Sequence, residues 1–385
     1  MQDPRAAAQF DGLKTDRRAL HRIPEIGLAE YATQRYILDA LGPLAPDKLS
    51  SMADTGVYAL FRARGGTSPS PRTIAFRCDM DALAIHERTG CEYTSVHPGR
   101  MHACGHDGHM AALLALARIA AQAREDGALL DNVVLLFQPA EESDGGAQRM
   151  IEAGALDEPR VDEIYAMHLM PDVPMGKIGV LPGVLMASAS EIDIEITGRA
   201  AHGATPQLGI DAVAAMAQLI SLANAQFQRM LPPDEPVVMT IGRVEAGTVR
   251  NVVASSARLY MTLRTFTEAA HERALELLRA AMRAVDGAFG TMTALNMPVY
   301  YPPLVNDAQL ANRLTETLGE DHYPLSPRMI AEDFSFFTRE RPGVMVFTGC
   351  GTERFNAPLH ADTFDFDERA LVKALELYLS VIRFA

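Results

Sequence analysis

Asn132-Val133-Val134-Leu135-Leu136-Phe137-Gln138-Pro139-Ala140-Glu141-Glu142 decides the fold class of this chain. Five apolar residues in a row cannot alternate between core and water, so the strand they form is covered on both faces. Pro139 ends it, because proline has no N–H to give to a neighbouring strand. Two carboxylates then stand at its carboxyl end, where open α/β sheets assemble their sites. Working outward, residues 73–77 contain the apolar run Ile74-Ala75-Phe76, and residues 57–61 and 163–169 are further apolar stretches. A helical pattern covers residues 109–123. Strands alternating with helices predict an α/β fold with a mainly parallel central sheet and helices on both faces.

The pattern changes at Glu191. Glu191, Asp193 and Glu195 alternate with Ile192, Ile194 and Ile196, the period of a strand with one wet face. A helix over 210–227, strands near 237–244 and 259–266, and a helix over 268–285 follow. That β-α-β-β-α order predicts an inserted α+β domain of ferredoxin-like type, residues 187–297, between two parts of a discontinuous first domain, residues 1–186 and 298–385. Beyond Pro298–Pro303 come a helix over 307–318, an apolar run over 344–348, and a last helix. Asp365 with Glu368 three residues on predicts a capping box for that helix, which is expected to reach about Arg383.

The 385 residues carry 49 acidic and 35 basic side chains, a net charge of −14. With no Lys/Arg cluster, this surface repels nucleic acid. The longest apolar stretch, residues 110–117, is far short of the ~18 to 20 residues a membrane span needs. No basic segment followed by an apolar core opens the chain, and the four cysteines (Cys78, Cys91, Cys104, Cys350) are too scattered for a disulfide framework. A cytoplasmic protein is expected.

Chemistry concentrates in His102-Ala103-Cys104-Gly105-His106-Asp107-Gly108-His109, where one thiol, three imidazoles and a carboxylate lie close together among small residues. Such density favours metal binding, although helical spacing puts His102, His106 and His109 on one face and does not choose the ligands. In Glu141-Glu142 one carboxylate can ligate a metal while its neighbour acts as general base. His168 ends the next apolar strand, and His360 lies in a polar loop before the last helix. Together these supply enough donors for a two-metal hydrolytic site. Asp79 and Asp81 end another strand, where they either orient a ligand or form a plain turn. The inserted domain contributes His202, Arg250-Asn251 and Arg264 at strand ends. Neither a phosphate-binding glycine loop nor a Gly-x-Ser-x-Gly elbow is present.

With these residues, the sequence resembles the M20 metallopeptidase family, in its hippurate hydrolase and auxin-conjugate hydrolase branch. The resemblance rests on Leu20-His21-Arg22-Ile23-Pro24-Glu25, Asp79-Met80-Asp81-Ala82-Leu83, Met101 to His109, Gln138 to Glu142, Ala201-His202-Gly203, Ala331-Glu332-Asp333-Phe334 and Leu359-His360-Ala361-Asp362, and so spans nearly the whole chain. It implies that Cys104, His106, Glu142, His168 and His360 ligate two divalent ions, zinc or manganese, with cobalt or nickel also admitted, and that Cys104 bridges them. It implies Glu141 as general base and Asp81 behind the ligands. His202 would stabilise the oxyanion, reaching a partner's active site, while Asn251 and Arg264 would hold the substrate carboxylate or the lid. The inserted domain would be a lid and homodimer interface. The implied reaction is hydrolysis of N-acyl or N-aroyl amino acids, hippurate-like, to a carboxylic acid and an amino acid; a metallo-dipeptidase or carboxypeptidase on the same scaffold is the alternative. The chain departs from the family pattern at Ala84, Arg250 and Ala254, none of them a ligand position.

Overall fold

The computed structural model describes residues 3–64, 71–143 and 145–385. They fall into two compact units: Met1–Gly183 with Val305–Ser326 and Asp333–Ala385, and Val184–Leu304 with Pro327–Glu332.

The first unit is built on an eight-stranded sheet in the order Lys48–Met52, Gly56–Phe61, Asn132–Gln138, Thr73–Asp79, Glu163–Pro174, Gly343–Gly351, Ile178–Gly179, His322–Tyr323. The four strands from Asn132–Gln138 to Gly343–Gly351 run parallel to one another and form its centre. Every residue of Asn132–Gln138 and Thr73–Asp79 is buried, as their unbroken apolar runs require. The helix His106–Glu125 packs on the Thr73–Asp79 strand and under the helices Phe10–His21 and Ala370–Val381. Its residues Met110 to Ala117 are all buried, which suits a helix apolar on every side. It begins three residues earlier than the apolar period suggests. Gly105, at φ +86°, is its N-cap, and a side chain there would press on Leu169 Cδ1 at 3.1 Å.

The capping box is a correction. The last helix begins at Ala370, after Arg369, with no side-chain cap. Asp365 instead accepts from Arg17 at 2.7 Å, and Glu368 accepts from Arg18 at 2.7 Å. Long-range ion pairs with the helix Phe10–His21 have taken both carboxylates away from the helix start.

The second unit is a four-stranded antiparallel sheet in the order Met292–Tyr301, Ala189–Thr197, Ser256–Thr265, Val237–Ala246. Ile192, Ile194 and Ile196 face a core made with the helices Ala212–Met230 and Glu268–Phe289. The strand Met292–Tyr301 carries Pro298, which argues against a strand in sequence. It lies at the sheet edge, and its register shifts between Asn296 and Val299, where the proline is accommodated.

Candidate active site

Three loops and one strand of the first unit bring these side chains together: Cys104 and His106 lead into the buried helix, Glu141 and Glu142 follow the Asn132–Gln138 strand, His168 lies within Glu163–Pro174, and His360 precedes the last helix. Donor atoms of Cys104, His106 and His168 lie within 4.8 Å of one another, and so do those of Cys104, Glu142 and His360. Cys104 belongs to both groups. Its sulfur is 3.4 Å from His168 Nε2, and His360 Nε2 is 3.1 Å from Glu142 Oε1.

Backbone and carboxylate contacts fix each side chain. His106 Nδ1 donates to the carbonyl of Asp81 at 2.9 Å and His168 Nδ1 to that of Leu169 at 2.8 Å, which turns both Nε2 atoms toward the cluster. The two carboxylate oxygens of Asp81 accept the peptide N–H groups of Glu141 and Glu142, each at 3.0 Å. Ala140, at φ +54°, makes the turn that presents those N–H groups, and its own N–H donates to buried Glu30 at 2.9 Å. His360 has φ +66°, an uncommon conformation for a residue with a side chain, and its N–H donates to Ala103 next to Cys104.

Beneath the cluster, buried Arg77 donates to Asp79, Gln138 and Asp333, and Asp333 also accepts from Gln138 and the N–H of Ala147. Sequence reasoning missed Arg77, Arg17 and Glu30. A single charge in a strand or helix gives no sign that its partner lies far along the chain.

The three histidines of the dense segment have separated roles. His109 is fully engaged, with Nδ1 donating to Asp79 at 2.6 Å and Nε2 accepting from the N–H of Leu169 at 3.0 Å. His102 is buried beside His21, and neither ring nitrogen has a hydrogen-bond partner among the described residues. His106 Nε2 is likewise buried without one. Burial disfavours a charged imidazole there, yet Asp79, Asp81 and Glu142 lift the His106 pKa to about 10. At His168 burial prevails and lowers it to about 3. Burial, with Glu142, Glu141 and Asp79, pushes the Cys104 thiol well up. A site that draws a proton onto a buried imidazole is electronegative, and its thiol, imidazole and carboxylate donors suit a divalent transition metal.

The second unit brings His202 and Asn251 together: the N–H of Gly203 donates to the carbonyl of Asn251 at 2.8 Å, and His202 is bridged to Val252. Arg264 is elsewhere, near the far end of the strand Ser256–Thr265. Eight residues at ~3.3 Å each separate it from Ser256, whose end of the strand meets Thr197 ahead of the His202 loop.

The profile of peptidase family M20/M25/M40 matches residues 75–383. The chain belongs to that family. It is 37% identical to N-acetyldiaminopimelate deacetylase of Exiguobacterium sibiricum, over 94% of this chain and 96% of that one. The deacetylase of the same description from Priestia megaterium is 36% identical, covering 88% and 89%. Among solved structures, the Bacillus subtilis YXEP protein, described as a dinuclear metal binding peptidase from the M20 family, matches with a TM-score of 0.82 and 32% identity, covering 98% and 99%. The chain is therefore an M20 hydrolase acting on amide C–N bonds. Among the described residues no helix is long and apolar enough to cross a membrane.

Proposed function

We propose that the protein is a two-metal amidohydrolase that removes the acyl group from N-acyl amino acids, with N-acetyl amino acids of the diaminopimelate class as the first substrates to test and hippurate-like N-aroyl amino acids beside them. The observation that carries this reading is the pair of donor groups Cys104, His106, His168 and Cys104, Glu142, His360, which share Cys104 beside Glu141. Relatives with N-acetyldiaminopimelate deacetylase activity support the acetyl group.

Those five side chains would hold the two ions, zinc or manganese, with Cys104 shared. When bound, the ions supply Lewis acidity to the amide carbonyl and to water. Glu141 would take the proton of the attacking water and return it to the leaving nitrogen. Asp81 holds the Glu141 backbone, so the carboxylate acts from a fixed position. His202 would donate from Nε2 to the oxyanion, because its Nδ1 already accepts the N–H of Ala204 at 3.1 Å. Asn251, beside it, and Arg264 would bind the substrate carboxylate or set the lid. The reading includes a homodimer joined through the second unit, whose edge strand Val237–Ala246 exposes Val238 and Val244.

The test is hydrolysis of N-acetyl-, N-benzoyl- and indolylacetyl-amino acids, N-acetyldiaminopimelate and unblocked dipeptides, followed by mass spectrometry with protein as purified, chelated and reloaded. Cleavage of blocked substrates that vanishes on chelation and returns with metal is expected. Cleavage of unblocked dipeptides alone would replace this reading with a dipeptidase.

A further inference from the structure

A second group of soft and hard donors lies outside the Cys104 cluster. Glu87 Oε1 is 3.2 Å from His21 Nε2 and 3.7 Å from Cys91 Sγ, and the donor atoms of all three lie within 4.8 Å of one another. We propose that Cys91, His21 and Glu87 form a third, structural site for a zinc-class cation, which fastens the turn at residues 87–91 to the N-terminal helices.

The spacing supports it. For metal–sulfur bonds of about 2.3 Å and metal–nitrogen or metal–oxygen bonds of about 2.0 to 2.1 Å, tetrahedral corners stand about 3.3 Å apart for nitrogen and oxygen and about 3.6 Å for sulfur and oxygen. The His21–Glu87 pair at 3.2 Å and the Cys91–Glu87 pair at 3.7 Å stand close to those separations.

The surroundings orient them. His21, 1% exposed, donates from Nδ1 to Asp107 at 2.7 Å, and Asp107 is gripped by Arg17 at 2.9 Å. A histidine committed in this way to a carboxylate presents the lone pair of its other nitrogen, the arrangement found behind metal-binding histidines. Facing a carboxylate at 3.2 Å, that lone pair needs a proton or a cation between them. With a proton on His21, the Cys91 thiol donates to Glu87 at 3.7 Å; a cation would replace both protons and be held by all three donors at once. Glu87 is steadied by the Thr89 hydroxyl and, at 2.7 Å, by the N–H of Ser95. Gly90, at φ +69°, turns the chain so that Cys91 returns over Glu87. Thiol, imidazole and carboxylate together select zinc over magnesium or calcium. Uptake releases the thiol proton to solvent.

The test compares wild type with Cys91→Ser. Both are stripped with chelator, reloaded with zinc, freed of loose ions by gel filtration, and analysed for metal. Wild type is expected to retain about one equivalent per chain more than the variant, whose Cys104, His106, Glu142, His168 and His360 are untouched. Equal metal content would overturn the proposal. Wild-type protein gives an independent readout: alkylation of Cys91 by iodoacetamide, followed by peptide mass spectrometry, is expected to slow at least ~10-fold in the presence of zinc, since a coordinated thiolate is shielded. The same rate with and without zinc would overturn it. Both readouts are independent of amide hydrolysis, so failure here leaves the proposed reaction standing, and the reverse also holds.

Discussion

Cys104 Sγ lies 3.4 Å from His168 Nε2 although 64 residues separate them in sequence. The contact is made because Gly105 lets the Cys104 loop turn directly into the buried helix His106–Glu125, which packs on the strand Glu163–Pro174 that carries His168.

Glu141→Gln keeps the shape of the side chain and removes the base. Turnover should fall by roughly 10²- to 10⁴-fold with metal content unchanged, which steady-state kinetics and elemental analysis of one sample would establish. Activity near wild type would remove Glu141 from the reaction.

Asp81 accepts two peptide N–H groups with two oxygens, and an amide has only one acceptor oxygen. Asp81→Asn should therefore weaken metal affinity by roughly 10- to 100-fold, through the displaced Glu142 backbone. Competition with a chromophoric chelator measures it, and unchanged affinity would show that Glu142 does not depend on this anchor.

Much of this was legible in sequence. Asn132–Gln138 was readable to the residue because five apolar side chains stand between Asn132 and Pro139. The dense Cys-His segment and Glu141-Glu142 pointed to the candidate site for the same reason, since local density needs no knowledge of the fold. What stayed hidden was long-range. Asp365 and Glu368 read as a helix cap until Arg17 and Arg18 were seen beside them. Pro298 masked an edge strand, and nothing near Glu30 shows that it braces Ala140.

Arg77 is fully buried and joined to Asp79 and Asp333 at 3.0 and 2.7 Å. Arg77→Met should cost about 3 to 5 kcal/mol, because it strands two buried carboxylates. Urea unfolding of the two proteins measures the difference, and a loss below about 1 kcal/mol, the scale of an exposed pair, would contradict the role given to this network.

The pH dependence of stability has a defined sign at Glu87. Burial opposes its ionisation, but His21, Thr89 and the N–H of Ser95 hold its pKa at about 2. The unfolded chain protonates near pH ~4.3, so its contribution is fully present above that value and is lost as pH falls toward 2. In chelator-treated protein the melting temperature of wild type should fall more steeply than that of Glu87→Gln between about pH 4.5 and pH 2. Parallel curves would show that this carboxylate is not held ionised by folding.

His202→Ala should lower kcat by roughly 10²-fold and leave metal content unchanged, as loss of one oxyanion donor does. A change confined to KM would move His202 from stabilising the transition state to binding the substrate.

The most direct test of the two-metal claim is anomalous diffraction from crystals reloaded with zinc, recorded on either side of the zinc edge. Two peaks are predicted beside Cys104 Sγ, one shared with His106 and His168 and the other with Glu142 and His360. No peak, or only one, beside Cys104 would contradict the account.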